Sequence, residues 1–529
     1  MKLITVFVVS SMLGVMGRRA TMIKPHRDVS TTQGTVRGYL TPTHAAYFGI
    51  PYARSPTRRD RYKAPEPPPT WDGIFEASHK IKCPQPGEDG DENCLVINIF
   101  APRHADPLPV YVFVHDGGFQ TGWGTYEPPE RILKEHFVVV SFNYRLGALG
   151  FLCLNTAEVL GNAGLKDQIA ALYWVHRNIK RFGGNPDEVI VHGIGSGAIS
   201  VQLLLTSGLV NGLIHKVIVE SGSALSPMSI TYDPVSLAYQ GAISIGYEGT
   251  NDIEEMYRFY EEASSEDLSN IQVTFLPCVE NNEDSHSLIN FDPIHKLQEG
   301  KYHKVPTMIT YADTNYKPNI TESFAKPPDN MADLMPNNLE FNSGVIQEKV
   351  GQIVKEFYFG NDIYITEDLD QTYFEYSYDV FIEYPVVKFA MLYAGNGPHM
   401  VYLMQFTQGT DTSTISNILD SLYKDYDGDI VLERAQTLWQ NFIKIGDPTP
   451  LTTSLIPDIW QPVALDKRDT KAIASIQMLH FEGTTLRGSP PPKNQRVLFW
   501  DNIYSKFYRS HIVTEIEKTE ELYDDGTDV

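Results

Sequence analysis

A glycine-rich turn, Gly193-Ile194-Gly195-Ser196-Gly197, lies between a β-branched run, Val189-Ile190-Val191-His192, and a helical run, Ile199-Ser200-Val201-Gln202-Leu203-Leu204. A strand that passes through such a turn into a helix pushes the turn's central side chain out as a nucleophile for acyl transfer. That chemistry needs a serine, an acid and a histidine, in that chain order, with backbone amides to hold the oxyanion. The central position here is Gly195, which has no side chain with which to attack a carbonyl. The serine comes one residue late, at Ser196. Centring the turn on Ser196 would put Ile194 and Ala198 where the turn wants glycine. A one-residue slip would also send the strand's alternate side chains to the opposite face. Ser196 is therefore read as the residue that begins the helix.

The elements around this turn alternate. Val110–Val114, Phe137–Phe142, Val189–Val191 and Lys216–Val219 are short apolar runs of strand character. Asp167–Lys180 and Ala198–Ser207 read as helices between them, and Gly183-Gly184 with Asn185-Pro186 mark a return from helix to strand. This pattern predicts an α/β fold: a large, mainly parallel twisted sheet flanked by helices on both faces.

An ordered set of segments resembles the carboxylesterase type B (cholinesterase-like) family. Pro109–Phe119, which ends His115-Asp116-Gly117-Gly118-Phe119, is similar to the family's oxyanion strand and loop. Asn143-Tyr144-Arg145-Leu146-Gly147, Gly161–Gln168, Glu92–Ile99 and Leu438–Phe442 followed by Gly446-Asp447-Pro448 match further signatures in order. The match covers roughly residues 28–505 and implies the α/β-hydrolase fold and, for the family, carboxylic ester hydrolysis.

Set beside that family, the site positions depart from the pattern. Gly195 stands at the nucleophile. Lys304–Tyr316 resembles the strand and loop that carry the acid, and the acid's position is Asn315; Asp313, two residues earlier, reads as a polar loop residue. The histidine belongs to a loop between Val401–Phe406 and the helix of Trp439, yet residues 400–479 contain no histidine. His399 and His480 flank that interval and read as ordinary, partly buried histidines. The oxyanion amides would be those of Gly117, Gly118 and Ser196, with Asp116 in place of a glycine. The braces look retained: the resemblance implies ion pairs Arg145–Asp167 and Arg61–Glu92. It also implies a disulfide between Cys83 and Cys94. Cys153 and Cys278 match no bridge of the family and read as buried free thiols.

The 43 basic and 66 acidic residues give a net charge of −23, which disfavours nucleic acid and anionic membranes as partners. No linker or repeat divides the 529 residues, so one large domain over 28–505 is expected. Residues 1–17, with one lysine and the apolar run Leu3–Val15, read as a signal peptide, with a signal anchor as the alternative. The mature chain is expected to be secreted and to carry no membrane span. Asn319-Ile320-Thr321 is a glycosylation sequon. Residues 506–529 form an acidic tail read as disordered, with Tyr523 among carboxylates. No metal spacing or cofactor motif appears.

These readings point to a secreted, non-catalytic esterase-like protein that binds an unidentified protein partner or an apolar small molecule. The competing reading is a weak carboxylic ester hydrolase that uses Ser196 and another base.

Overall fold

The structure is a computed structural model that describes residues 25–509, except 58–59, 104–106, 125–132, 134–135, 281–286, 291, 313–328, 361–368, 408–429, 465–472, 474–475, 483–484 and 490–493. The signal-peptide segment, Asn315, Asn319 and the acidic tail from residue 510 lie outside the described residues.

One sheet organises the chain. Its strands are β1 (His26–Ser30), β2 (Thr35–Leu40), β3 (His44–Pro51), β4 (Ile74–Glu76), β5 (Val96–Pro102), β6 (Leu108–Val114) and β7 (Val138–Phe142). They continue with β8 (Gly184–Ile194), β9 (Lys216–Glu220), β10 (Thr307–Ala312), β11 (Val401–Thr407), β12 (Met478–Glu482) and β13 (Thr485–Ser489). The order is β1-β2-β3-β5-β7-β6-β8-β9-β10-β11-β12-β13, with β4 beside β2. From β7 to β12 every neighbouring pair is parallel. Antiparallel pairs close both ends, β1-β2-β3-β5-β7 on one side and β12-β13 on the other.

The parallel strands read as unbroken apolar runs because both faces are buried. Along β6, Val110, Val112 and Val114 enter one apolar cluster while Tyr111 enters the other. Along β8 and β9 the same split separates Val189, Val191, Val217 and Val219 from Ile190 and Ile218. A period of two thus distributes one strand between two cores. Four helices matter for the site: α1 (Gly147–Phe151), α2 (Ala163–Asn178), α3 (Ser196–Ser207) and α4 (Ile430–Ile445). Helix α3 packs against the first core through Ala198, Val201, Leu203 and Leu204. Helix α4 packs against the second through Leu438, Trp439 and Phe442.

Both ion pairs form. Arg145 faces Asp167 in a two-pronged contact, Nε to Oδ2 at 2.8 Å and Nη2 to Oδ1 at 2.7 Å, with both side chains buried. Arg145 Nη1 also donates to the Arg61 carbonyl at 2.9 Å. Arg61 Nε in turn donates to Glu92 Oε2 at 3.2 Å. The two pairs therefore act as one network that ties the loop after β7 to α2 and to the segment before β5.

The cysteines correct one expectation. Cys83 and Cys94 are bonded, as are Cys153 and Cys278, so the latter two are not free thiols. The second bridge spans 125 residues, and a neighbouring side chain holds one end of it. Asn162 turns its amide onto the Cys278 backbone, accepting from the N–H at 3.0 Å and donating to the carbonyl at 2.8 Å. That pair of hydrogen bonds holds the residue-278 segment near the loop after α1, where the Cα atoms of Cys153 and Cys278 lie 6.7 Å apart. Among the described residues, no helix is long and apolar enough to cross a membrane.

Candidate functional site

The site lies where β6 and β8 end at their C-terminal edge, the edge at which open α/β sheets hold ligands. Strand β8 runs through Gly193 and Ile194, the chain turns at Gly195, and α3 begins at Ser196. Gly195 has φ 51° and ψ −116°, a backbone state that side chains resist. Its N–H donates to the Glu220 carbonyl at 2.9 Å, which fixes the turn to the end of β9. Gly197 has no room for a side chain either: a Cβ there would lie 2.3 Å from the Val114 carbonyl oxygen. The glycines let helix α3 lean directly on the end of β6.

Strand β6 delivers His115, Asp116, Gly117 and Gly118 to the same place. The Asp116 carboxylate reaches across to the first residue of α3. Its Oδ1 accepts from the Ser196 N–H at 2.9 Å, from the Ser196 hydroxyl at 3.1 Å and from the Gly118 N–H at 3.4 Å. Three groups that could stabilise an oxyanion are thereby aimed at a carboxylate of the chain itself. The first turn of a helix favours negative charge, so α3 stabilises this arrangement further. Asp116 remains exposed to solvent.

Absence of a side chain at Gly195 is what makes room for the carboxylate. A Cβ on Gly195 would fall 2.3 Å from Asp116 Cγ and 2.3 Å from Oδ1. Asp116 thus fills the space in which a side chain at the turn would stand. The sequence showed Asp116 only as a charge near the amides; its seat upon them depends on residues 80 apart and could not be read from spacing.

His115 supports this loop from beneath. Its ring stacks on Tyr144 with centroids 4.3 Å apart, and Nδ1 bonds the Asp116 carbonyl at 2.8 Å. Burial holds its pKa down to about 4, so the ring is neutral near pH 7. The Tyr144 hydroxyl donates to the His115 carbonyl at 3.1 Å. Burial raises the Tyr144 pKa well above its usual range, which keeps it a donor.

The histidines that flank the empty interval lie elsewhere. His399 precedes β11, at the sheet edge opposite the turn. Seven strand residues separate the two edges, roughly 20 Å at about 3.3 Å per residue. Its ring packs on Tyr393 at 4.6 Å, and burial lowers its pKa to about 4. His480 sits within β12, where Nδ1 meets Gln405 Oε1 at 3.2 Å. A third histidine, His192 on β8, is fully buried. Its Nε2 lies 3.0 Å from Glu220 Oε1, its Nδ1 contacts the Tyr111 hydroxyl, and Trp439 Nε1 donates to the same Glu220 oxygen at 3.1 Å. This cluster was not singled out from the sequence. It sits behind the turn and holds its support, Glu220, in place.

The pattern of the Carboxylesterase family matches residues 25–483. The chain belongs to the carboxylesterase family. A juvenile hormone esterase of Heliothis virescens is 31% identical over 433 residues, covering 74% of this chain and 76% of that protein. Esterase B1 of Culex pipiens is 38% identical over 263 residues, 45% of this chain and 47% of that protein. Among solved structures, the juvenile hormone esterase of Manduca sexta with OTFP covalently attached superposes with a TM-score of 0.75 at 24% identity. It is covered completely, and 91% of this chain is covered. The carboxylesterase EST55 of Geobacillus stearothermophilus gives 0.71 at 24% identity, covering 89% of this chain and 99% of that one. These superpositions agree with the α/β-hydrolase fold read from the sequence.

Proposed function

We propose that this carboxylesterase-family chain is an extracellular binding protein that does not hydrolyse esters. The observation that carries the reading is the Asp116 carboxylate on the Ser196 and Gly118 amides. An ester carbonyl oxygen arriving there would meet a negative charge where it needs donors. Gly195 offers no nucleophile, Asn315 stands for the acid, and residues 400–479 hold no histidine. Two disulfides support an oxidising, extracellular setting, and the apolar start of the chain supports entry into it. Asn319 is then a site for glycosylation, and the acidic tail a surface for a basic partner. The apolar ligands implied by relatives named juvenile hormone esterase would be held rather than cleaved.

A second reading has one observation in its favour: the Ser196 hydroxyl donates to the Asp116 carboxylate, a possible base. One experiment tests both. The secreted protein is incubated with a fluorophosphonate probe and with a short-chain p-nitrophenyl ester. The binding reading expects neither labelling nor turnover above buffer. A covalent adduct on Ser196 would overturn it in favour of the hydrolase.

A further inference from the structure

Asparagine is followed by glycine twice in the chain, at Asn211-Gly212 and at Asn396-Gly397. Such a pair carries a reaction of its own. The backbone nitrogen of the glycine can attack the asparagine Cγ, because no side chain on the glycine hinders the approach. The fold treats the two pairs differently.

Asn211 and Gly212 form the tip of the turn between α3 and β9. The Leu213 N–H donates to the Val210 carbonyl at 3.0 Å and closes a turn with Asn211 and Gly212 at its centre. Gly212 has φ 77°, the left-handed state that the third position of a type II turn requires. Val210 and Leu213 are buried and anchor the two flanks, while both central residues are exposed. A Cβ on Gly212 would meet nothing within 4 Å, so the space beside the glycine is open. The Asn211 amide makes no hydrogen bond to any described residue.

The second pair is held. Asn396 Nδ2 donates to the Leu297 carbonyl at 2.9 Å and to the Gln298 carbonyl at 3.4 Å. Its glycine is crowded: a Cβ on Gly397 would lie 2.5 Å from His399 Nδ1 and 2.9 Å from Lys304 Cδ. Ring closure at Asn396 has to break those hydrogen bonds and turn the side chain within that space.

We propose that Asn211 is a site of spontaneous deamidation and that the fold protects Asn396 from the same reaction. The Gly212 nitrogen gives its proton to solvent base and attacks Asn211 Cγ. A C–N bond forms to close a succinimide ring, and the Cγ–Nδ2 bond breaks as ammonia leaves with a proton from water. Water then opens the ring at either carbonyl, giving aspartate or isoaspartate. The net change is one water taken up and one ammonia released. Either product adds a negative charge to the tip of the turn. Isoaspartate also routes the backbone through the β-carbon, which lengthens a turn whose ends are fixed by Val210 and Leu213.

The full-length protein is aged at neutral and at mildly alkaline pH, folded in buffer and unfolded in urea, then digested and mapped by mass spectrometry. Isoaspartate is labelled in parallel with an isoaspartyl methyltransferase and S-adenosylmethionine. In the folded protein the Asn211 peptide should gain the mass of an amide exchanged for an acid, and part of it should accept a methyl group. Conversion should be at least about tenfold faster at Asn211 than at Asn396, the factor by which two hydrogen bonds that must first break slow a reaction. In urea the two rates should converge. Both should rise with pH, because the deprotonated nitrogen is the nucleophile. Asn211→Gln, which would need a larger ring, should abolish the change at residue 211. Equal rates at Asn211 and Asn396 in the folded protein would overturn the proposal. So would an Asn211 that stays intact in the folded protein and reacts only in urea, since the turn would then shield it. Conversion to aspartate with no isoaspartate would also overturn it, because direct hydrolysis of the amide passes through no ring.

Discussion

The Asp116 carboxylate and the backbone of Gly195 occupy each other's space: a methyl group on Gly195 would lie 2.3 Å from the carboxylate carbon. The glycine at the turn and the aspartate in the loop are therefore a matched pair. A side chain at residue 195 and the Asp116 carboxylate cannot stand in the same place. Each also accounts for the other physically, since the carboxylate satisfies the amides that an empty turn would leave facing water.

Gly195→Ser is accordingly expected to fail in two ways. It should give no ester turnover, because the histidines near the turn are buried and committed to other partners, His115 to the Asp116 carbonyl and His192 to Glu220. It should also destabilise the fold by about 1–3 kcal/mol, the usual cost of overpacking, from the clash with Asp116 and the positive φ at the turn. Adding Asp116→Gly should recover part of that loss. Thermal melts of the two single variants and the double variant measure the coupling. Strict additivity would show that the two residues do not compete for one place, and turnover in either variant would show an unseen base.

The disulfides should contribute unequally. Cys83–Cys94 closes a short loop, whereas Cys153–Cys278 spans 125 residues. Chain-entropy arguments give about 3 kcal/mol for a short loop and about 5 kcal/mol for one of more than a hundred residues. Replacing Cys153 and Cys278 together by alanine should lower the melting temperature more than replacing Cys83 and Cys94. Non-reducing peptide mapping should find no alkylatable thiol in protein folded under oxidising conditions. A free thiol at Cys153 or Cys278 would contradict the arrangement seen at Asn162.

The parallel centre of the sheet was legible because its signals are local. Val110–Val114 and Val189–Val191 alternate between two cores, and a β-branched run between glycines announces itself within a few residues. The turn at Gly195 was legible for the same reason. What escaped the sequence depends on contacts across the fold. The seat of Asp116 on Ser196 joins residues 80 apart. The Cys153–Cys278 bridge joins residues 125 apart, and the hydrogen bonds of Asn162 to the Cys278 backbone beside it cannot be read from spacing. The His192–Glu220–Trp439 cluster joins two strands and a helix more than 200 residues downstream, and nothing in the spacing of the three singles it out.

Asp167→Ala should be among the most damaging single substitutions away from the site. It would leave the Arg145 guanidinium buried without its carboxylate and loosen the carbonyl contact to Arg61. Breaking one side of a buried pair costs about 3–5 kcal/mol. Urea unfolding measures this directly. The double replacement of Arg145 and Asp167 by methionine and leucine should be milder than Asp167→Ala, since no charge is then stranded. A double variant as unstable as the single one would mean that packing, not charge, sets the cost.

Stability should fall with acid through a window set by His115. Burial lowers its pKa from 6.5 to about 4 in the folded protein. Between those values the unfolded chain binds a proton that the folded chain refuses, so protonation pulls the equilibrium toward unfolding as the pH drops. The stability that His115 contributes is fully present above pH 6.5 and is lost progressively down to about pH 4. For a shift of this size the contribution is about 3 kcal/mol. His115→Gln removes the titrating group while keeping an amide that can donate to the Asp116 carbonyl. The variant should be less stable than wild type at pH 7 but show a shallower loss between pH 6.5 and 4, so that the two stability curves converge toward acid. Parallel curves across that window, measured by chemical unfolding at fixed ionic strength, would show that the proton is taken up elsewhere and that His115 is not the acid-sensitive brace beneath Asp116.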